Sequence, residues 1–317
     1  MDLFNSALGK NITFLRPAFF IISGFIGIPN IKYYYAFLFF VYIISVLANT
    51  AVMAAIYLDH NLRTPKYIAV FNLALVDLLG NSVVDIFLLN HYYISYNDCL
   101  TFMFFCSTFY AMQTFNLVVL SFDRVMAIMY PLHYQMRVSH KLILTLIAFF
   151  WLLATTLILI VVGLLTRLSF CKSVVIQSYF CDHGPMYRLG CNDITPNRAI
   201  AGLAPVIILG FPLAFIVGSY CCIGYSLSKI STFRERVKAF KTCTGRLSLA
   251  AIYFLPFTFV YIFGSVIHPN ARIISLSIST VLPPMLNPII YVLQTQEIKE
   301  SLKKLLQTRA TTLHIKF

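Results

Sequence analysis

Charged side chains are scarce in this chain of 317 residues, where Asp, Glu, Lys and Arg together make up 11%. An average soluble domain contains about 25%. Hydrophobic residues make up 59% and the mean hydropathy is +0.81. So little charge excludes an ordinary water-soluble domain. Because the basic residues follow a membrane pattern, the net charge of +13 does not indicate nucleic-acid binding.

Several motifs of other protein classes are also missing. The chain contains no His-Glu-x-x-His motif, no paired aspartates at helix centres and no phosphate-binding loop, so it is not predicted to be an enzyme. It has no internal repeat, which a secondary transporter would often show. Residues 1–18 lack a basic start followed by an apolar core, so no cleaved signal peptide is expected and the first helix would direct insertion.

Long apolar stretches are what the chain does contain. A transmembrane helix needs about 20 apolar residues, and seven stretches are long enough. They cover about 33–57, 67–91, 99–130, 141–165, 199–228, 239–264 and 272–294. The segment of about 296–306 has Ile298, Leu302 and Leu305 at helical spacing with lysines between them, as in an amphipathic helix. We therefore predict an all-α membrane protein: a single seven-transmembrane-helix domain over 1–317 with a short eighth helix. A large buried helical core is the less favoured alternative.

The distribution of basic residues predicts the orientation. Lysines and arginines concentrate in the segments that lie inside the cell if the N-terminus is outside. We expect a multi-pass plasma-membrane protein with an extracellular N-terminus and a cytoplasmic C-terminus. Asn11-Ile12-Thr13 is a glycosylation acceptor, and this orientation would expose Asn11 to the secretory lumen.

The end of the third apolar stretch resembles a known receptor family. Asp123-Arg124-Val125 is similar to the Asp-Arg-Tyr motif of rhodopsin-like G-protein-coupled receptors, with Val125 in place of tyrosine. The following Met126-Ala127-Ile128 and Pro131-Leu132-His133-Tyr134 resemble the odorant-receptor form of this segment. Two further segments agree. Residues 283–291, Pro-Pro-Met-Leu-Asn-Pro-Ile-Ile-Tyr, contain the Asn-Pro-x-x-Tyr motif, and residues 238–243 resemble Lys-Ala-Phe-Ser-Thr-Cys.

The resemblance implies an odorant receptor that binds a small-molecule odorant and activates a heterotrimeric G protein, by analogy the olfactory stimulatory type that raises cyclic AMP. Tyrosine-rich departures near the first helix suggest a fish-type receptor. A rhodopsin-like receptor for a non-odorant ligand outside the olfactory epithelium is the alternative. The residues to which the resemblance assigns coupling or activation are Asp123, Arg124, Tyr220, Lys238, Asn287, Pro288 and Tyr291.

Four cysteines fall on the predicted lumenal side, where the oxidising environment allows disulfides to persist. Cys99 begins the third apolar stretch, and Cys171, Cys181 and Cys191 lie in the long loop before the fifth. Spacing alone leaves three pairings open. The odorant-receptor resemblance implies Cys99–Cys181 and Cys171–Cys191.

Asp77 is an acidic residue deep in the second apolar stretch, where a charge is costly and indicates function. In the receptor class that the chain resembles, the matching aspartate holds a sodium ion. The expected partners are Gln113 and Asn287. Odorant receptors usually have glutamate at the position of Gln113, so we expect weaker sodium binding here. No other cofactor is expected.

The resemblance implies a ligand cavity between helices three, five and six, completed by helix seven, and helical spacing puts the candidate residues on shared helix faces. Its aromatic rings and hydroxyls suit a compact, largely apolar ligand with one or two hydrogen-bonding groups. A packing role is the alternative for each residue, and Asp85 or Arg272 would admit a charged ligand if it reached the cavity. The predicted ligand contacts are Cys106, Ser107, Tyr110, Ala111, Thr114, Phe254, Phe257, Thr258, Tyr261, Ser265, Ser277 and Thr280.

Overall fold

The structure is a computed structural model. It describes residues 15–25, 28–88, 93–171, 173–228, 233–263 and 266–314. Within these ranges it describes the backbone alone at 83–88, 227, 233–246, 249, 294, 306 and 308–314.

Helices dominate this part of the chain. Seven long ones (α1 to α7) follow one another, and an amphipathic helix, α8, comes after them. Their bounds are α1 Ile31–Leu58, α2 Pro65–Leu88, α3 Tyr96–Met129, α4 His140–Thr166, α5 (Thr195–Pro205, a π-helical turn at Val206–Gly210, then Phe211–Ser228), α6 Phe233–Phe263, α7 Pro269–Gln294 and α8 Gln296–His314.

Five of the described helices, α1, α3, α4, α5 and α7, are long and apolar enough to cross a membrane. The described part of α6 also contains a shorter apolar segment, Ala250–Phe263. Polar groups inside such helices need partners in the bundle, because lipid offers none.

Capping residues set the ends of several helices. The Ser95 hydroxyl accepts from the Asp98 amide at 3.1 Å and starts α3 at Tyr96, three residues before the expected position. Ser139 caps α4 in the same way through the Leu142 amide, also at 3.1 Å. An N-cap of this kind stabilises a helix by about 1 kcal/mol. Both helices therefore begin where a serine satisfies an otherwise unpaired amide.

Prolines shape α5 and α7. Pro212 has no amide hydrogen to donate to the carbonyl four residues earlier. The amide of Phe211, the residue just before Pro212, donates to the Val206 carbonyl five residues earlier, which is the π-helical spacing. In α7, Pro288 similarly leaves the Pro284 carbonyl without its helical donor. The Asn49 side-chain amide donates to that carbonyl at 2.9 Å. A buried polar residue of α1 thus supplies the hydrogen bond that α7 lacks at Pro288.

A three-stranded sheet covers one end of the bundle, which an all-helical expectation does not foresee. Its central strand is β1 Phe19–Ile22, which pairs antiparallel with β2 Tyr93–Ser95 and parallel with β3 Val175–Ile176. Phe20 and Ile176 are fully buried beneath it. The N-terminal segment is therefore built into the end of the bundle.

The two disulfides lie at this same end and have the expected partners. Cys99–Cys181 joins the first turn of α3 to the loop, with a Cα–Cα distance of 5.6 Å. Cys171–Cys191 closes the loop on itself at 5.9 Å. We call residues 168–194 the cap and this end of the bundle the cysteine end. The opposite end, where Arg124 lies, is the arginine end.

Candidate functional site

A cavity of about 1130 Å³ lies under the cap at the cysteine end. Its walls come from α3, α4, α5, α6 and α7, and its cover comes from the cap. The volume and the mixture of aromatic and polar walls suit a small organic molecule.

Six of the twelve predicted ligand contacts line this cavity. They are Cys106, Ser107, Tyr110, Phe257, Tyr261 and Thr280. The rings of Tyr110 and Phe257 lie 4.2 Å apart between centroids, which joins α3 to α6 across the floor. The three of these residues that lie on α3, which helical spacing placed on one face, form one turn of the cavity wall.

Four other predicted contacts lie outside the cavity lining, and their neighbours explain why. Ala111 and Thr114 are fully buried, and the Thr114 hydroxyl donates to the Ala111 carbonyl at 2.6 Å. Phe254 packs with Tyr253 between α5 and α6. Ser277 shares a 2.6 Å hydrogen bond with the Tyr34 hydroxyl of α1. These positions face the bundle core or a neighbouring helix.

Four residues named from the sequence remain to be placed. Thr258 is half-buried on α6 and does not line the cavity. Ser265 lies outside the described residues, as does the glycosylation acceptor Asn11. The side chain of Asp85 is likewise not described.

The cap contributes polar contacts that helical spacing does not predict. Asp182 forms an ion pair with Arg272 at the start of α7, and Arg272 also reaches the Gln177 carbonyl at 3.4 Å. The Tyr179 hydroxyl lies 3.2 Å from that of Thr280. The sequence feature that indicates these contacts is Cys181, because a cysteine bridged to α3 holds its neighbours Phe180 and Asp182 over the helix ends.

His183 sits at the edge of this network, in the short helix His183–Tyr187. Its Nε2 is 3.4 Å from the Asn197 Oδ1 of α5, and the Asn197 amide donates to the Leu164 carbonyl. Burial lowers the pKa of His183, and the Asp182 charge and the Asn197 hydrogen bond oppose this only in part. A neutral ring that donates through Nε2 satisfies this geometry.

At the arginine end, Asp123 and Arg124 lie next to each other at the end of α3. The Arg124 Nε is 3.9 Å from the Asp123 Oδ2, and the Tyr134 hydroxyl donates to Asp123 Oδ1 at 2.5 Å. Asp123 is 1% exposed and Arg124 is 20% exposed. Burial and then the Asp123 carboxylate raise the pKa of Tyr134, so its hydroxyl keeps the proton it donates.

The other residues assigned to activation are spread along the bundle. Tyr220 is half-buried against the α5–α6 contact. Pro288 and Tyr291 are buried on α7, and Tyr291 belongs to the central core. Lys238 lies in α6, where only the backbone is described.

Asp77 lies at the centre of the bundle, fully buried. Its Oδ1 accepts from Gln113 Nε2 at 3.0 Å and its Oδ2 accepts from Asn287 Nδ2 at 2.7 Å. The structure thus brings together the three residues predicted for a sodium site. Both carboxylate oxygens are already bonded to amide donors, and an adjoining cavity measures only about 10 Å³. Because the Gln113 and Asn287 side chains both turn their N–H groups towards the carboxylate, this arrangement fits a sodium ion poorly.

Comparison with known proteins agrees with this geometry. A family model described as olfactory receptor matches residues 38–309. Olfactory receptor 1500 of Rattus norvegicus is 32% identical over 286 residues, covering 88% of this chain and 92% of the relative. Olfactory receptor 1E16 of Mus musculus is 33% identical over 307 residues, covering 93% and 98%.

A solved structure also resembles the chain. Squid rhodopsin aligns with a TM-score of 0.66 over 91% of this chain and 89% of its own, at 18% sequence identity. That likeness concerns the fold alone, and it agrees with a bundle of seven transmembrane helices. The relatives named above are mammalian, so the fish-type assignment stays a prediction.

Proposed function

This chain belongs to the olfactory receptor family, and on that premise we propose how it receives and transmits a signal. The chain is a multi-pass membrane receptor and not an enzyme. A small odorant binds in the cavity under the cap, and a heterotrimeric G protein binds at the arginine end. The partner is the olfactory stimulatory type, which raises cyclic AMP.

The observation that carries this proposal is the separation of two specialised ends on one set of helices. The cavity of about 1130 Å³ lies at the cysteine end, and the Asp123–Arg124 pair lies at the other. Helix α3 contributes to both. A ligand that prefers one arrangement of the helices shifts the population towards it, and the far end then changes with it.

Helix α6 provides the moving part of the mechanism. Phe257 and Tyr261 contact the cavity, and Pro256 removes one hydrogen bond from the helix just below them. A ligand that pushes on these rings bends α6 about Pro256. The arginine-end half then moves outward, Arg124 leaves Asp123, and a cleft opens for the G protein.

The orientation of this receptor places the cysteine end outside the cell. Basic residues such as Arg63, Lys66 and Arg137 cluster at the opposite end, as they do on the cytoplasmic side of membrane proteins. Epitope tags at the two termini, probed before and after permeabilisation, test this. An N-terminal tag that is detected only after permeabilisation would show that the orientation is the reverse.

Arg124→Ala tests the function as a whole. In cells with a cyclic AMP reporter and a broad odorant panel, this variant should reach the surface yet give no response. Arg167→Ala, which removes an arginine at the cysteine end, should respond like the unaltered receptor. Full cyclic AMP output from Arg124→Ala would contradict the proposed role of the pair.

Asp77 completes the proposal, with a sodium ion bound weakly if at all. The two amides that donate to its carboxylate support this, since they occupy both oxygens that a cation would need. Gln113 also adds no negative charge to attract one. When bound, sodium would supply a positive charge to Asp77. Without it, Gln113 and Asn287 hold α2, α3 and α7 together through that carboxylate.

A further inference from the structure

The cavity under the cap has an uneven charge. Among its described lining residues, the arginines are Arg188, Arg198 and Arg272, and the only carboxylate is Asp182. Asp182 is paired with Arg272. In the part of the chain that the structure describes, neither Arg188 nor Arg198 forms an ion pair with a carboxylate. Two guanidinium groups are therefore left uncompensated.

The backbone holds these two arginines at the mouth of the cavity. Arg188 ends the short helix His183–Tyr187, and its guanidinium lies 5.9 Å from the centre of the Tyr187 ring. Arg198 lies in the first turns of α5. Both side chains are exposed, but both line the cavity, where low-dielectric walls concentrate their field.

The floor of the cavity has the opposite character. Tyr110 and Phe257 contact each other there, and Cys106 and Ser107 stand beside them on α3. A molecule that fills the cavity thus meets positive charge at one end and aromatic rings at the other. Arginine binds carboxylates through two parallel hydrogen bonds, which gives direction as well as affinity.

We propose that the receptor's ligand is an amphiphilic anion, with a carboxylate bound by Arg188 and Arg198 at the mouth and an apolar tail against Tyr110 and Phe257. This inference rests on the proposed function, because it names the ligand class of that same cavity. The Asp182–Arg272 pair stays intact in the complex, so Arg272 offsets the charge of the only carboxylate among the described lining residues.

A series of matched ligands tests the charge. Octanoic acid, 1-octanol and octylamine share one tail and differ in the head group: anionic, neutral and cationic at neutral pH. In cells with the cyclic AMP reporter, the acid should be the strongest agonist and the amine the weakest. An alcohol or amine equal to the acid, or no response to the acid, overturns the inference.

Substitutions then locate the head group. Arg188→Gln and Arg198→Gln should each raise the octanoic acid concentration for half-maximal response by about tenfold or more, as expected for a lost charged hydrogen bond. The 1-octanol response should not change. Arg167→Gln, an arginine outside the cavity lining, is the matched control, and surface staining shows that each variant is expressed.

The two proposals fail in different ways. If neutral odorants from a broad panel activate the receptor and octanoic acid does not, the ligand class is wrong and the receptor function stands. If Arg124→Ala still signals, the proposed coupling mechanism fails whatever the ligand. An equal loss of acid and alcohol responses in the Arg188 and Arg198 variants would indicate a structural role for the mouth and overturn the carboxylate contact.

Discussion

Replacing Gln113 by glutamate tests how the buried centre of this receptor is held together. In the structure, Gln113 Nε2 donates to Asp77 Oδ1 at 3.0 Å, and Asn287 occupies the other oxygen. Gln113→Glu removes one of these donors and places a second carboxylate beside the first. We expect the variant to be destabilised and to become dependent on sodium.

The size of the effect follows from the distance. Two unit charges about 4 Å apart repel by about 4 kcal/mol at an effective dielectric constant of about 20. Losing a hydrogen bond to a charged group costs a further amount of about 1.5–3 kcal/mol. Sharing one proton relieves part of the repulsion, so these figures are an upper bound. A sodium ion between the carboxylates relieves it as well.

Melting temperatures of the purified receptor provide the assay, in sodium chloride and in choline chloride at equal ionic strength. For a chain of this size, 1 kcal/mol shifts the melting temperature by roughly 2 °C. Gln113→Glu should melt several degrees lower than the unaltered receptor in choline and recover in sodium. The unaltered receptor should melt at the same temperature in both salts.

Gln113→Met serves as the control, because it removes the donor without adding charge. It should lower the melting temperature equally in both salts. A sodium-specific rise in the unaltered receptor would refute the argument that the two amides exclude the ion. So would a Gln113→Glu variant that is indifferent to sodium.

Two further predictions concern the cap. Loss of Cys99–Cys181 should destabilise the receptor by about 1 kcal/mol more than loss of Cys171–Cys191. The bridges close loops of 82 and 20 residues, and the entropy cost of closing a loop grows with its length. Thermal melts of variants with both cysteines of one bridge replaced by serine check this, and equal losses of stability would contradict it. Because burial lowers the pKa of His183, the unfolded chain gains a proton near pH 6.5 that the folded chain does not, so stability should fall as the pH decreases through that value. His183→Gln should flatten the pH profile of the melting temperature, and an unchanged profile would count against the buried neutral ring.

The helical architecture could be predicted because apolar length is a strong and local signal. The predicted start of α3 lies three residues too late, because the cap that Ser95 provides adds nothing to the apolar pattern. The sheet could not be predicted, because β1 pairs with β2 and β3 only through contacts between distant parts of the chain. Nothing in the local pattern of residues 19–22 distinguishes such a strand from an extended loop.

The cavity shows the same limit. Spacing of three and four residues places Cys106, Ser107 and Tyr110 on one turn of α3, and all three line the cavity. The same rule could not tell how far the helix is rotated, so it also included Ala111 and Thr114, which face the core. Residues of the cap, such as Asp182, were missed because a loop has no period. Their positions depend on the bridge at Cys181.

The central position of β1 in its sheet has a consequence for the order in which the receptor is assembled. The strand is synthesised first, but its two partners emerge only after two and four of the long helices, respectively. Both edges stay unpaired until β2 is made, and the edge that pairs with β3 stays unpaired until the fourth long helix has been made. An unpaired strand edge readily associates with other chains. The cover of the binding cavity is therefore completed late in biogenesis, and a nascent chain stalled before β3 still exposes one unpaired edge of β1.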